Sequence, residues 1–345
     1  MHVLFDITHP AHVHLFKNLI FELESDSHDT TVLSRKKDMT TRLLDSYDID
    51  HIPLSRKRDN KFWLVPEWSL REIRTVGHAI DKKPDVIVSR LNPPAAHASA
   101  LLNRPNLVFD DSEKEVFAGR ITHPFTDIIC TPENFSRDLG PKQRRYRGFH
   151  ELAYLHPDRF APDPDVLKEH KINPADHYSV LRFVSWGAHH DVNEEGLSQE
   201  TKGEIVEMLS RHGEVFITAE DELPGKFEEY RLPIPPEKIH QLMYHANMYV
   251  GDSQTMATEA AILGTPAVRC NSFAGEDDMS NFVMLESEYG LLTSTDDEKK
   301  ALATVEEYLK RPNLQQEWKE KQKRLAEDMI DVTSFMRDLI EEAGS

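Results

Sequence analysis

The sequence predicts an α/β fold of two doubly wound, parallel-sheet domains facing across a cleft, with C-terminal helices closing the fold. Three observations carry this. Short apolar strands alternate with amphipathic helices through the first half, the alternation restarts in the second half, and a Pro- and Asp-rich stretch over residues 148–164 separates the two. A chain of 345 residues also suits two domains better than one core.

In the first half, residues 3–7 read as a buried strand, Thr8-His9-Pro10-Ala11-His12 as a turn, and residues 13–24 as a helix. Strands at 30–34, 51–54 and 85–89 then alternate with helices at 39–47 and 70–81, and strands at 106–110 and 126–130 continue the sheet. In the second half, strands at 177–185, 214–218, 248–251 and 266–269 alternate with helices at 201–211, 236–245 and 256–263. The tail over 312–342 reads as helical, broken near Val332-Thr333-Ser334, where a hydroxyl can cap a last helix.

Sixty acidic against 41 basic residues give a net charge of -19, which disfavours nucleic acid as a partner and leaves membrane contact at most peripheral. Any phosphate must therefore be held locally. The acidic excess also suits a salt-rich cytoplasm. With no charged-then-apolar leader and no apolar run approaching about 18 residues, the expected compartment is the cytoplasm. Cys130 and Cys270 each follow an apolar run and read as small strand residues.

The strongest candidate site is Gly251-Asp252-Ser253-Gln254-Thr255-Met256-Ala257-Thr258-Glu259, where a strand runs through a polar turn into a helix. A helix N-terminus offers unpaired N–H groups and partial positive charge to a diphosphate, and the Ser253 and Thr255 hydroxyls add donors. Glu259, further along the helix, has the reach to accept from ribose hydroxyls. The plainer alternative is a helix capped by Asp252 or Ser253, with Glu259 solvated. In the first half, His12, and after it His9, are candidate general bases in the loop following the first strand. Around Trp186, Arg182 and His189 offer positive charge to a leaving diphosphate, and Trp186 offers a stacking face. His189-His190-Asp191 lacks ligand spacing, so no metal and no cofactor is expected. Ser55-Arg56-Lys57-Arg58-Asp59-Asn60-Lys61-Phe62-Trp63-Leu64-Val65-Pro66-Glu67-Trp68 interleaves cations with aromatics, which suits either a solvated loop with its two tryptophans tucked into the core or the headgroup zone of a membrane bearing a lipid-linked acceptor.

The segment ending at Glu259 resembles the nucleotide-diphosphate helix of GT-B glycosyltransferases and of the related UDP-N-acetylglucosamine 2-epimerases. The resemblance gives Ser253 the phosphate role and Glu259 the ribose role, with Gln254 and Thr255 standing where those families place glycines. Arg120-Ile121-Thr122-His123-Pro124-Phe125-Thr126-Asp127-Ile128-Ile129-Cys130-Thr131-Pro132-Glu133 is similar to an epimerase stretch, and Asp110-Asp111 sits roughly where those enzymes carry a catalytic acid. Their His-Arg-Arg-Glu-Asn run is absent. Over nearly its whole length the chain resembles an archaeal and bacterial family, domain of unknown function 354, regarded as glycosyltransferase-like. The residues that carry this are Phe5-Asp6-Ile7-Thr8-His9-Pro10-Ala11-His12-Val13-His14-Leu15-Phe16-Lys17, Lys83-Pro84-Asp85-Val86, Thr131-Pro132-Glu133, Gly148-Phe149-His150-Glu151-Leu152-Ala153-Tyr154-Leu155 and the Asp252 segment. The resemblance implies a GT-B-like fold with an acceptor-side domain over 1–155 and a nucleotide-sugar-binding domain over 156–345. It also implies metal-independent transfer of a sugar to a hydroxyl acceptor, such as a lipid-linked glycan or surface polysaccharide. An NDP-sugar epimerase or hydrolase using Asp110 and Asp111, and a non-catalytic nucleotide-sugar-binding protein, are the alternatives.

Overall fold

A computed structural model of the chain describes residues 1–36, 38–56, 64–183, 197–218, 223–275 and 278–344. They form two compact units, residues 1–159 with 329–345, and residues 160–328.

The first unit is built on seven strands, β1 (His2–Ile7), β2 (Asp29–Lys36), β3 (His51–Arg56), β4 (Val86–Arg90), β5 (Asn106–Phe109), β6 (Ile128–Pro132) and β7 (Gln143–Tyr146). Their order is β3-β2-β1-β4-β5-β6-β7, and every pairing is parallel. Connections run outward from β1 to β3 and then, after β3, across to β4 and on to β7. Right-handed crossovers in opposite directions put helices on opposite faces of the sheet. Helix Pro10–Ser25 accordingly packs with Leu152–Leu155 and Val332–Gly344, whereas Leu64–Lys82 packs with Pro93–Leu102, which in turn meets Val116–Thr122. Because both faces are covered, β1 is apolar without alternation, and Val3, Leu4, Phe5 and Ile7 are fully buried. Leu4, Leu33 and Ile87 from adjacent strands pack on Ala79, Ala95 and Ala98 of the covering helices.

The first helix begins at Pro10, three residues before the expected start. Proline has no N–H to lose at a first helical position, and its fixed φ suits entry, so the apparent turn is a helix start. His9 is its N-cap, its ring accepting from the Ala11 N–H, and His12 and His14 lie inside the helix. The same logic explains helix Pro93–Leu102, which the Pro-Pro pair concealed. Strand β7 was also missed, because Gln143-Arg144-Arg145 is a polar edge.

The second unit carries β8 (Tyr178–Arg182), β9 (Glu214–Thr218), β10 (Met248–Gly251), β11 (Ala267–Cys270) and β12 (Leu292–Thr295), all parallel, in the order β12-β11-β10-β8-β9. Gln199–Ser210 packs with Glu298–Lys310, and Gln254–Ile262 packs with Ile239–His245 and Leu314–Asp328. Gly264 ends the central helix at φ 69°, a left-handed value that glycine adopts without a side-chain clash. Cys130 and Cys270 are buried, unbridged strand residues, and burial pushes the Cys270 thiol up to about 12 and that of Cys130 higher still.

The tail corrects the expected boundary of 155 and 156. The chain divides after Arg159, and residues 329–345 return to the first unit instead of closing the second. Thr333 Oγ1 donates to the Ala153 carbonyl at 2.8 Å. Arg159 pairs with Asp331 at 2.6 Å and also binds Glu22. Val332, Met336 and Ile340 supply the apolar stripe that this helix buries, a pattern readable as helix but silent about its partner. No helix among the described residues is long and apolar enough to cross a membrane.

One glycine positions the second sheet's functional edge. A Cβ at Gly251 would lie 2.2 Å from the Arg182 carbonyl oxygen on the neighbouring strand. Gly251→Ala should therefore cost about 3 kcal/mol in urea denaturation, the upper part of the overpacking range. Gly77→Ala, in an exposed helical turn with nothing within 4 Å, should instead stabilise by about 0.5–1 kcal/mol.

Candidate functional site

In an open parallel sheet, ligands bind beyond the carboxyl ends of the strands where the strand order reverses. In the second unit that point lies between β8 and β10, whose last residues, Arg182 and Gly251, are paired. The Asp252 N–H donates to the Arg182 carbonyl at 3.1 Å, and Asn271 Nδ2 donates to the Asp252 carbonyl at 3.2 Å, so the turn is pinned to both neighbouring strands. Asp252 itself is buried.

Ser253 is the N-cap of helix Gln254–Ile262, and its Oγ accepts from the Met256 N–H at 3.4 Å. The plainer alternative raised by the sequence is thus realised for Ser253. It is compatible with ligand binding, because a hydroxyl that accepts can still donate, and the first-turn N–H groups of Gln254 and Thr255 remain at the helix entrance. Ser253, Gln254 and Thr255 are all half-buried. Glu259 is not solvated: it is 3% exposed, and its Oε1 lies 2.9 Å from His240 Nε2. His240, on helix Ile239–His245, was not singled out in the sequence. Arg182 Nη1 reaches Thr218 Oγ1 at 3.4 Å, which holds the guanidinium at the end of β8. Trp186 and His189 lie outside the described residues, as do residues 57–63 of the basic and aromatic run.

The first unit gathers a denser set of polar groups at the same edge of its sheet. Arg90 ends β4, Asp110 and Asp111 follow β5, and His150 follows β7. Arg90 binds Asp111 and donates to Ser112 Oγ at 2.9 Å, while His150 Nδ1 lies 3.0 Å from Asp111 Oδ2. Burial alone would raise the Asp111 pKa, but the Arg90 guanidinium, with the hydrogen bonds that Arg90 and His150 give, outweighs it and holds the carboxyl well below the usual range. His123 Nε2 stands 3.3 Å from Asp110 Oδ2, close enough to pair yet without hydrogen-bond alignment. Asp110 Oδ1 accepts from the Ser112 N–H at 3.0 Å, which turns this aspartate back over its own loop.

His12 does not have the orientation expected of a base. Its Nδ1 is the atom facing Thr8, 3.4 Å from the N–H and 3.3 Å from Oγ1. An Nδ1 that accepts leaves the neutral ring's proton on Nε2, so the outer nitrogen donates. Burial first, then Arg90, His9 and His150, pushes the His12 pKa well below its ordinary value and keeps the ring neutral. The structure thus brings together Asp111 and two residues the sequence reading passed over, Arg90 and His150. His150 lay in Gly148-Phe149-His150-Glu151, a stretch used for likeness alone. Among the described residues no group of three or more His, Cys, Asp or Glu is placed to hold a metal.

Because folded His12 resists protonation while the unfolded chain binds a proton near pH 6.5, its contribution to stability is full above that pH and is lost as the pH falls below it. His12→Asn, whose Oδ1 can replace Nδ1 as the acceptor, should remove up to about 1.4 kcal/mol per pH unit from the slope of stability below pH ~6.5. Urea titrations of both proteins between pH 7.5 and about 5 measure this. Equal slopes would show that His12 protonates freely in the folded state.

Solved structures with this architecture are numerous. The UDP-N-acetylglucosamine 2-epimerase of Neisseria meningitidis, bound to UDP-N-acetylglucosamine, superposes with a TM-score of 0.68 at 11% identity, covering 99% of this chain and 100% of that one. A spinosyn forosaminyltransferase superposes with a TM-score of 0.66 at 12% identity, covering all of both chains. At such identities the likeness establishes a shared GT-B-like fold. In sequence, an uncharacterised protein of Methanocaldococcus jannaschii is 22% identical over 281 residues, 78% of this chain and 81% of that protein. The family model for DUF354, described as a protein of unknown function, matches residues 1–343, and the chain belongs to that family.

Proposed function

We propose that the protein is a metal-independent, glycosyltransferase-like enzyme that moves a sugar from a nucleotide-sugar donor to a hydroxyl acceptor. The observation that carries this is the Ser253-capped helix at the carboxyl end of β10, beside β8 at the point where the strand order reverses. Such a helix start is suited to a diphosphate: its N–H groups and dipole are fixed before the ligand arrives, so stabilising the departing charge requires little reorganisation. Gln254 and Thr255 supply N–H groups, Ser253 and Thr255 supply hydroxyls, and Arg182 adds a cation. Glu259 reads the ribose hydroxyls, with His240 holding one of its oxygens in place. The fold shared with a UDP-N-acetylglucosamine-bound structure supports this assignment of the second unit. The acceptor is a hydroxyl compound, and a lipid-linked glycan fits a protein acting at the cytoplasmic membrane face.

Calorimetric titration of UDP, dTDP and GDP into the full chain tests the reading. One of them should bind, and Glu259→Gln, which keeps the volume and an acceptor for His240, should weaken that affinity about tenfold, or ~1.4 kcal/mol. The melting temperature should stay within about 3 °C. Affinity unchanged by the substitution would remove the ribose role, and no binding of any nucleotide would remove the donor site.

The epimerase or hydrolase reading has its own support in the paired carboxylates Asp110 and Asp111. UDP-N-acetylglucosamine alone separates the two. A transferase should be nearly silent without acceptor, whereas an epimerase or hydrolase should turn over.

A further inference from the structure

We propose that the layer of helices Leu64–Lys82, Pro93–Leu102 and Val116–Thr122 on the first sheet is a docking surface for a membrane that carries anionic lipid headgroups. The surface belongs to the first unit alone and is independent of the transfer reading. Its helices turn large apolar side chains outward. Ile73 and Ile80 are 69% and 52% exposed, and with the exposed Gly77 between them they form an outer stripe on Leu64–Lys82, whose inner side holds the buried Arg71, Thr75 and Ala79. Leu101 is 67% exposed in the last turn of Pro93–Leu102, Phe117 is 73% exposed in Val116–Thr122, and Phe125 just beyond it is 46% exposed.

His97 ties these residues into one neighbourhood. Its Nδ1 lies 2.7 Å from Glu72 Oε1, its Nε2 lies 2.9 Å from the Ile121 carbonyl oxygen, and its ring meets that of Phe125 edge-on with centroids 4.6 Å apart. Ile73 follows Glu72 directly, Leu101 stands one turn past His97, and Phe117 stands one turn before Ile121. A single exposed apolar residue is ordinary, but five on adjoining helices mark a surface that a partner covers. Trp68, at the head of the first of these helices, is 41% exposed, so this part of the basic and aromatic run is not tucked into the core.

Charge selects the partner. Lys83, Arg104 and Arg120, all exposed, each follow an outward apolar residue by three positions, after Ile80, Leu101 and Phe117. Lys142 Nζ donates to the Pro124 and Thr126 carbonyls at 3.2 and 2.6 Å, on either side of Phe125. None of these four cations forms an ion pair among the described residues, in a chain of net charge -19. The three helices carry three acids, and each is engaged: Glu67 by Arg35 at 2.9 Å, Glu72 by His97, and Asp81 by Lys82 at 3.8 Å. A cation at a helix C-terminus also complements the backbone dipole, which accounts for Lys82 and Arg104 but not for the apolar side chains beside them. An anionic headgroup layer suits both features, since the apolar groups enter the acyl boundary while the cations meet phosphates. A second copy docked by the same face brings two patches of the same sign together. The acidic remainder of the chain opposes this docking weakly, because at 0.15 M salt charges more than about 8 Å away are largely screened.

Flotation of the full chain with phosphatidylcholine vesicles, made with and without phosphatidylglycerol, tests the surface without any nucleotide, so its outcome is separate from that of the donor site. The protein should partition onto the anionic vesicles at least about tenfold more strongly than onto the neutral ones, and about 1 M salt should remove the difference. Leu101→Ser combined with Phe117→Ser should lower partition onto the anionic vesicles about tenfold, with a melting temperature within about 3 °C of the parent because both side chains are exposed. Arg104→Gln combined with Arg120→Gln should reduce the preference for anionic over neutral vesicles. No flotation, equal flotation with both kinds of vesicle, or a serine variant that floats as the parent does overturns the proposal. Light scattering without lipid covers the remaining occupant: a parent dimer that the serine variant turns into a monomer assigns the face to a second copy and overturns the membrane assignment.

Discussion

Parallel strand pairing is the constraint on which both units depend. In a parallel sheet every strand ends at the same edge, so the loops that follow the strands gather there whatever their separation in sequence. Residues as distant as Arg90, Asp111 and His150 become neighbours because β4, β5 and β7 end together. The same geometry in the second unit sets Arg182 beside Gly251 and places Ser253 at the start of a helix. The price of this arrangement is burial: both faces are covered, so any charge at the strand ends sits in low dielectric and needs a partner.

Asp6 and Arg269 show how that need is met. Asp6, at 0% exposure near the end of β1, is bound by Arg71 and by Asn92, yet burial still raises its pKa. Arg269, equally buried in β11, donates to Ser294 Oγ at 2.9 Å, pairs with Asp278 and stacks 3.6 Å over Phe282. Ion pairs this deep add little net stability over an apolar core, because desolvation offsets most of the attraction. Their use is geometric. Asp278 belongs to the loop after β11, so Arg269 ties that loop to the strand it leaves. Asp111 differs in kind: its partners, Arg90 and His150, lie on other strand-end segments, and each retains a buried nitrogen, Arg90 Nε and His150 Nε2, without a hydrogen-bond partner.

Strand and helix alternation was legible because apolar β1, β2 and β4 and the amphipathic helices each carry their own periodicity. What escaped was whatever depends on a partner. Val332–Gly344 reads as a helix by its stripe, yet only Thr333, Arg159 and Ala153 reveal that it packs in the first unit. The Ser253 to Glu259 segment was visible as strand, turn and helix, since cap and strand signals are local. His240 was not, because its meaning comes from Glu259 across a helix pair. Proline concealed two helix starts: Pro10 was read as part of a turn, and at Pro93 no element was expected.

Histidine shows most clearly why a residue's identity underdetermines its chemistry. His12 and His150 are both buried, neutral imidazole has one donor and one acceptor nitrogen, and nothing in the sequence distinguishes them. The partner at Nδ1 decides. A backbone N–H at Thr8 makes His12 an outward donor, and an ionised carboxylate at Asp111 makes His150 an outward acceptor. Arg90 enters this choice indirectly, since without its charge Asp111 would lose part of what holds it ionised and with it the power to orient His150. The outward polarity of each ring could therefore not be anticipated from sequence, which shows only a set of histidines near one sheet edge. Selecting among them required the second neighbour of each ring.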